Sequence, residues 1–346
     1  MSRRLGMLAA PGTFGAALVA ALLLTAACTA APPVTAPAAD LDLPARIAAT
    51  AAESRPFVTG VVAGGGALST QIDPPLVRVE FLIGATPDDI RPTVEAYAAR
   101  GSRVLLLAGF PGTVPTLEEA RNLGTWARAF GPASGAPLPV TAIEFGNETS
   151  YSDQYGDGPG DASYTARAVA YARMTAVAAD AVRAADPGVG LLAQADDAGT
   201  KSPVWLTTVL STEPGLDDRV VGWTLHPYGP TYDDRLARTR SLLTAHGARK
   251  PLWITEWGLA SDGGRCLDDN FGWDPCMTEA DAAATLLTVA ADLPRYDVAA
   301  FLIYQARDQR PSGAETGRDR YFGILTNTGA PKGLYTRAAT ALWNRP

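Results

Sequence analysis

The feature that most constrains this chain is an alternation. Eight short apolar runs, rich in Val, Ile and Leu, recur between residues 57 and 306. They are FVTGVVA (57–63), LVRVEF (76–81), RVLLLAGF (103–110), VTAIEFGN (140–147), VGLLAQAD (189–196), VVGWTLHPY (220–228), LWITEWG (252–258) and AAFLIYQA (299–306). Runs of this length bounded by turn residues read as strands buried on both faces. Helix-like amphipathic stretches lie between them. PDDIRPTVEAYAAR (87–100) opens with Pro and two acids, TLEE opens 116–130 as a capping box, and TEAD opens 278–293. Further helices are expected over 162–185, 202–210, 232–246 and 335–344, while the Gly/Pro-rich connection 64–75 shows no clear helix. Such alternation predicts a parallel sheet closed into a single (β/α)8 TIM barrel of the α/β class. A doubly wound open sheet is the runner-up. It would want a glycine-rich strand-to-helix turn for a phosphate, and GVVAGGGALS shows no G-x-G-x-x-G and precedes no convincing helix.

In such a barrel the active site lies at the C-terminal strand ends. Polar residues gather there. Strand 2 carries Arg78, with Glu80 two positions later on the same face. Strand 4 ends at Asn147-Glu148, strand 6 in His226 and Tyr228, strand 7 in Glu256 and Trp257, and strand 8 in Tyr304 and Gln305. A charged side chain in an apolar strand is costly unless paired. Two Glu at the ends of strands 4 and 7 face each other across the barrel mouth. That is the arrangement glycosidic cleavage needs, with one carboxyl donating a proton to the leaving oxygen and the other attacking or stabilising the anomeric carbon. Glu144, flanked by Ile143 and Phe145 within strand 4, reads as a barrel residue supporting the site.

Asn-Glu after strand 4, His-x-Tyr after strand 6 and Thr-Glu-Trp-Gly at strand 7 resemble the clan A retaining glycoside hydrolases, the cellulase-like and β-xylosidase-like (β/α)8 superfamily. The resemblance covers nearly all of the chain from residue 57. EFGNE looks most like the β-xylosidase, arabinofuranosidase and β-glucuronidase-like groups. It implies Glu148 as general acid/base, Glu256 as nucleophile, and Asn147 as a donor to the sugar 2-hydroxyl. It also implies that Arg78 and Tyr228 hold Glu256 ionised, that His226 shapes the site, and that no cofactor or metal is needed. Strand 8 ends IYQARD where much of the clan carries Trp, so Tyr304 or Gln305 would serve instead. Strand 3 ends LAGFPG where many members carry His. Both differences concern substrate contacts. Trp257 would stack on a sugar or pack under the next loop, and Tyr151, in the loop after Glu148, would touch substrate. Two rival readings use the same features: a non-catalytic carbohydrate-binding surface protein on a degenerate barrel, and a transglycosylase with a sugar acceptor in place of water.

The N-terminus has a separate message. Two Arg, then LAAPGTFGAALVAALLLTAAC, form a secretory signal, and LTAAC resembles a bacterial lipoprotein signal with Cys28 as the lipidated residue. Pro11 and Gly12 interrupt the apolar run, against a spanning helix. Residues 1–27 are thus expected to be a signal peptide, 28–50 a flexible Ala/Pro-rich tether, and 51–346 the catalytic domain, an exported cell-surface monomer whose one membrane contact is the lipid. Without residues 1–27, 27 basic residues face 36 acidic ones, a net charge of −9 that argues against nucleic acid. The remaining cysteines, Cys266 and Cys276, share one loop, and export makes a disulfide the natural reading. Only His226 and His246 accompany them, too few for a zinc site.

Overall fold

The computed structural model describes residues 42–63, 72–110, 114–150, 161–195, 202–229, 231–263, 277–309 and 318–343. Cys28, Tyr151, Cys266 and Cys276 lie outside them. Eight parallel strands close into a barrel in chain order, with β1 (Val58–Val62) beside β8 (Val298–Ile303). Between these come β2 (Leu76–Leu82), β3 (Arg103–Gly109), β4 (Ala142–Phe145), β5 (Gly190–Gln194), β6 (Gly222–Leu225) and β7 (Leu252–Trp257). Around them run α1 (Leu43–Ala52), α2 (Pro87–Ala99), α3 (Leu117–Phe130), α4 (Asp161–Ala185), α5 (Ser202–Thr212), the short α6 (Leu216–Arg219), α7 (Tyr232–Ala245), α8 (Glu279–Asp292) and α9 (Gly333–Leu342). The capping boxes sit where expected: Thr116 caps α3 with Glu119, and Thr278 caps α8 with Asp281.

One boundary is corrected. The tether, expected to run to residue 50, gives way at Leu43 to α1. Asp42 caps that helix through Ala45 N, and Ile47 is buried in the core. The run LPARIAATAA is Ala-rich, and Ala favours helix once one apolar face finds a surface to cover.

Side chains alternate between barrel lumen and helix layer. Outward residues form the main core; Phe81 of β2 stacks on Trp126 of α3 with ring centroids 3.5 Å apart. Inward residues form a separate apolar plug that includes Leu76, Leu105, Ala142, Leu192 and Leu302. On β2, β4 and β5 a polar residue follows two positions after a plug residue: Leu76 then Arg78, Ala142 then Glu144, Leu192 then Gln194. The lumen therefore turns from apolar to ionic toward the C-terminal ends of the strands.

Candidate active site

Arg78 is the hub of the ionic layer. It is only 3% exposed, and each of its guanidinium nitrogens is committed. Nε donates to Glu144 Oε2 (2.6 Å), Nη1 to Glu256 Oε1 (2.5 Å) and Nη2 to Asn147 Oδ1 (2.8 Å). Burial opposes its charge, but Glu144 and Glu256 outweigh that and raise its pKa above the ordinary arginine value. Glu144 is fully buried and also accepts from Thr255 Oγ1 (2.8 Å) and Gln194 Nε2 (3.1 Å). It braces the site, as its place inside the strand suggested.

Glu256 is 8% exposed. Tyr228 donates its hydroxyl to Glu256 Oε2 at 2.7 Å, and His226 Nδ1 stands 3.7 Å away. Burial alone would raise the Glu256 pKa; the charges of His226 and Arg78, with the Tyr228 hydrogen bond, prevail and hold it below the usual carboxylate range. His226 bridges to the other carboxylate. Its Nδ1 is 3.1 Å from Glu148 Oε1, and its Nε2 is 3.1 Å from Thr255 Oγ1. Since Thr255 gives its proton to Glu144, Thr255 accepts from His226, which fixes a proton on Nε2. Burial works against a charged His226, but Glu256 and Glu148 push its pKa up to about 9.

Glu148 reaches the cleft because the chain turns out after β4. Gly146 has φ 86° and Glu148 φ 45°, both in the left-handed region. A Cβ at residue 146 would overlap the Thr149 methyl and come within 2.9 Å of the Phe110 ring, so glycine is required. Two residues that sequence reasoning missed hold this turn. Gln194 donates to Gly146 O (2.8 Å) and accepts from Thr149 N (3.3 Å). Tyr171 of α4 donates to Phe145 O (3.0 Å) and accepts from Gln194 N (2.7 Å), tying the ends of β4 and β5 together. Their signal in the sequence was slight: a Gln closing an apolar strand, and one of two Tyr in an Ala-rich helix. Thr255 was missed too, for want of any charge.

Two expected substrate contacts are corrected. Trp257 is fully buried and packs on Phe301 with ring centroids 5.6 Å apart. The register between β7 and β8 shifts between Ile254 and Trp257, which lets Thr255 and Glu256 both turn inward and sends Trp257 outward. Gln305 is 2% exposed, its N–H bonded to Phe322 O and its carbonyl to Ile324 N. Tyr304, partly exposed, is the strand-8 residue beside the site. It meets Tyr228 (6.0 Å) and Phe322 (5.9 Å) edge-on, forming an aromatic wall next to Glu256. That wall is anchored behind by buried Lys332, whose ammonium bonds Asp308 Oδ1 (2.7 Å), Tyr321 O (2.9 Å) and Ser261 O (3.1 Å).

Among the described residues, Glu148, His226 and Glu256 form the one group whose ligand atoms lie within 4.8 Å of one another. Each already has a partner, and a guanidinium is on Glu256 where a cation would sit. The donor set suits a bridged pair of carboxylates better than a metal.

The sequence matches no protein-family profile and no curated protein. Solved structures match in fold. A family 39 glycoside hydrolase from the gut symbiont Bacteroides cellulosilyticus superposes with a TM-score of 0.56 at 17% identity, covering 83% of this chain and 64% of that one. The GH53 catalytic domain of Ignisphaera aggregans gives 0.57 at 12% identity over 84% and 98% of the two chains. Bacteroides uniformis β-glucuronidase 2, covalently bound to cyclophellitol-6-carboxylate aziridine, gives 0.55 at 13% identity over 84% and 35%. The chain thus spans less than two thirds of the family 39 enzyme and about a third of the β-glucuronidase. What it shares with these glycoside hydrolases is the (β/α)8 barrel, the fold the motifs led us to expect.

Proposed function

We propose that this protein is a retaining glycoside hydrolase that uses Glu256 as nucleophile and Glu148 as acid/base. One observation carries the reading. An oxygen of each carboxylate lies within 4.8 Å of the other, and Glu256 is held ionised by Arg78, His226 and Tyr228. Retaining enzymes place their carboxyl groups about 5–5.5 Å apart, whereas inverting ones leave roughly 6.5–9.5 Å for a water. The barrel shared with several glycoside hydrolases supports it.

In the first step Glu256 attacks the anomeric carbon while Glu148 gives its proton to the leaving oxygen, and the glycosidic bond breaks. His226 Nδ1, hydrogen-bonded to Glu148 Oε1, orients the carboxyl for this transfer. In the second step Glu148 takes a proton from water, the hydroxide attacks the same carbon, and Glu256 leaves as carboxylate. Asn147 has its Oδ1 turned to Arg78, so its NH2 is left to donate to the sugar 2-hydroxyl. Esterification removes the Glu256 charge, one of the forces that raise His226, so the proton on His226 loosens while Glu148 works as base.

A cyclophellitol aziridine is covalently bound in one structural neighbour. We therefore expect neutral and 6-carboxylate forms of that probe, alongside a panel of aryl glycosides, to report on this site. Glycoside cleavage with net retention, lost by about 10³-fold or more in Glu256→Gln, is the expected result. Full activity in both Glu256→Gln and Glu148→Gln would sink the mechanism. Glycan binding without cleavage by the wild type would favour the non-catalytic reading. The same proposal keeps the protein at the cell surface through a lipid on Cys28, supported by LTAAC; palmitate labelling that persists in Cys28→Ser would overturn that part.

A further inference from the structure

Glu80 belongs to the cleft but has no task in the chemistry above. It lies two residues beyond Arg78 on β2, so both side chains project to the lumen side, with Glu80 nearer the mouth. The residue is exposed, and among the described residues it forms no hydrogen bond and no ion pair. Its carboxyl fills the space that a Cβ would occupy at Gly109 on the neighbouring strand, so glycine there makes room for it. Surrounding protein raises the Glu80 pKa, Arg78 draws it back, and Glu256 and Glu144 raise it again. Its place on the lumen side of β2, one step beyond Arg78 toward the C-terminal strand end and against Gly109 of β3, puts the carboxyl at the barrel mouth. Arg78 does not neutralise it by contact: its hydrogen bonds run to Glu144, Glu256 and Asn147.

We propose that Glu80 is a substrate-contacting residue that sets the charge preference of the site, accepting hydrogen bonds from sugar hydroxyls and turning away sugars that carry a carboxylate. This rests on the glycoside hydrolase reading and deepens it: the substrate class is neutral rather than uronic. A free carboxylate offers only acceptors, which suits hydroxyl donors. A second carboxylate brought beside it meets like-charge repulsion. The fold shared with a β-glucuronidase carries no such preference, since the fold does not fix the residues that line the cleft.

The test compares matched neutral and uronic-acid aryl glycosides, gluco and galacto in both anomers, on wild type, Glu80→Gln, Glu80→Ala and Glu80→Asp. Wild type is expected to favour the neutral member of each pair. Glu80→Gln keeps the shape and removes the charge, so its uronide-to-neutral ratio of kcat/KM should rise about tenfold or more. Glu80→Ala should raise KM for the neutral substrate about tenfold, the loss of a charge-assisted hydrogen bond, while changing kcat much less. Glu80→Asp keeps the charge and should keep the wild-type ratio. Because the side chain is exposed and its charge is disfavoured where it stands, none of the three should melt below the wild type. An active wild type whose KM and ratio stay unchanged in Glu80→Gln and Glu80→Ala overturns the role of Glu80 alone. A wild type that cleaves none of the glycosides, and takes no aziridine label at Glu256, overturns the hydrolase reading and this proposal with it.

Discussion

At the scale of single residues, the site is a chain of charges in which each group fixes its neighbour. Tyr228 and Arg78 hold Glu256 from two sides, so each can be weighed by removal. Tyr228→Phe deletes one donor and leaves the ring against Phe322. Glu256 should then titrate higher, and the acidic limb of the pH–kcat/KM profile should move toward neutral pH, with kcat/KM down about 10–100-fold. An unmoved acidic limb would show that the hydroxyl does not hold the nucleophile's charge. His226 gives a test that needs no substrate. Its pKa is raised in the fold from 6.5 to about 9, so its contribution to stability is fully present below pH 6.5 and is lost as pH rises through 9. Melting temperatures measured from pH 6 to 10 should fall by several degrees, and in His226→Asn most of that slope should vanish; a wild-type curve flat across this range would contradict the assignment. Much of this network was legible beforehand, since Arg78, Glu148, His226, Tyr228 and Glu256 are polar residues closing apolar strands. The two readings of Trp257, sugar stacking or packing, could not be separated beforehand for a physical reason: the slip that turns both Thr255 and Glu256 inward is a backbone event that residue types do not announce.

At the scale of elements, what places the acid/base is the turn after β4. The backbone leaves the strand through the left-handed Gly146 and re-enters that region at Glu148, where a non-glycine residue costs about 1 kcal/mol or more. Gln194 and Tyr171 offset that cost with four hydrogen bonds around the turn. Gly146→Ala meets both the unfavourable φ and the Thr149 methyl. Relief requires the Asn147–Glu148 segment to move, and a displacement of about 1 Å at a reacting group costs on the order of 10²-fold in rate. We expect kcat to fall by that much while stability drops by only about 1–3 kcal/mol. A kcat within about threefold of wild type would mean that the turn does not position Glu148. The eight strands and most helices were legible because buried strands and capped helices leave local marks, such as TLEE and TEAD. The supports of the turn were not, since Tyr171 acts on residues 23 and 26 positions away.

At the scale of the whole molecule, the closed barrel has no free sheet edge, and its ends are tied where β1 meets β8 and α9. Thr59 Oγ1 donates to Leu342 O at 2.6 Å, joining the first strand to the last helix. The helix α1 extends this closure. Ile47 enters the main core, Leu43 and Ala51 pack against it, and Arg46 Nη2 donates to Thr288 Oγ1 of α8 at 3.3 Å. No apolar run of strand length marks this segment, and its Ala-rich composition continues that of the stretch before it, which is why sequence alone drew it as part of a tether. The distinction has a measurable consequence. Burying one Ile, with Leu43 and Ala51 partly buried beside it, contributes about 2–4 kcal/mol, far more than exposed residues give. A chain beginning at residue 42 should therefore melt several degrees above one beginning at residue 54, and Ile47→Ala in the longer chain should abolish most of that difference. Both chains should cleave the same aryl glycoside at low temperature, because α1 touches none of Arg78, Glu148, His226 or Glu256. Equal melting temperatures for the two chains would return residues 43–52 to the tether and leave the barrel to close by β1, β8 and α9 alone.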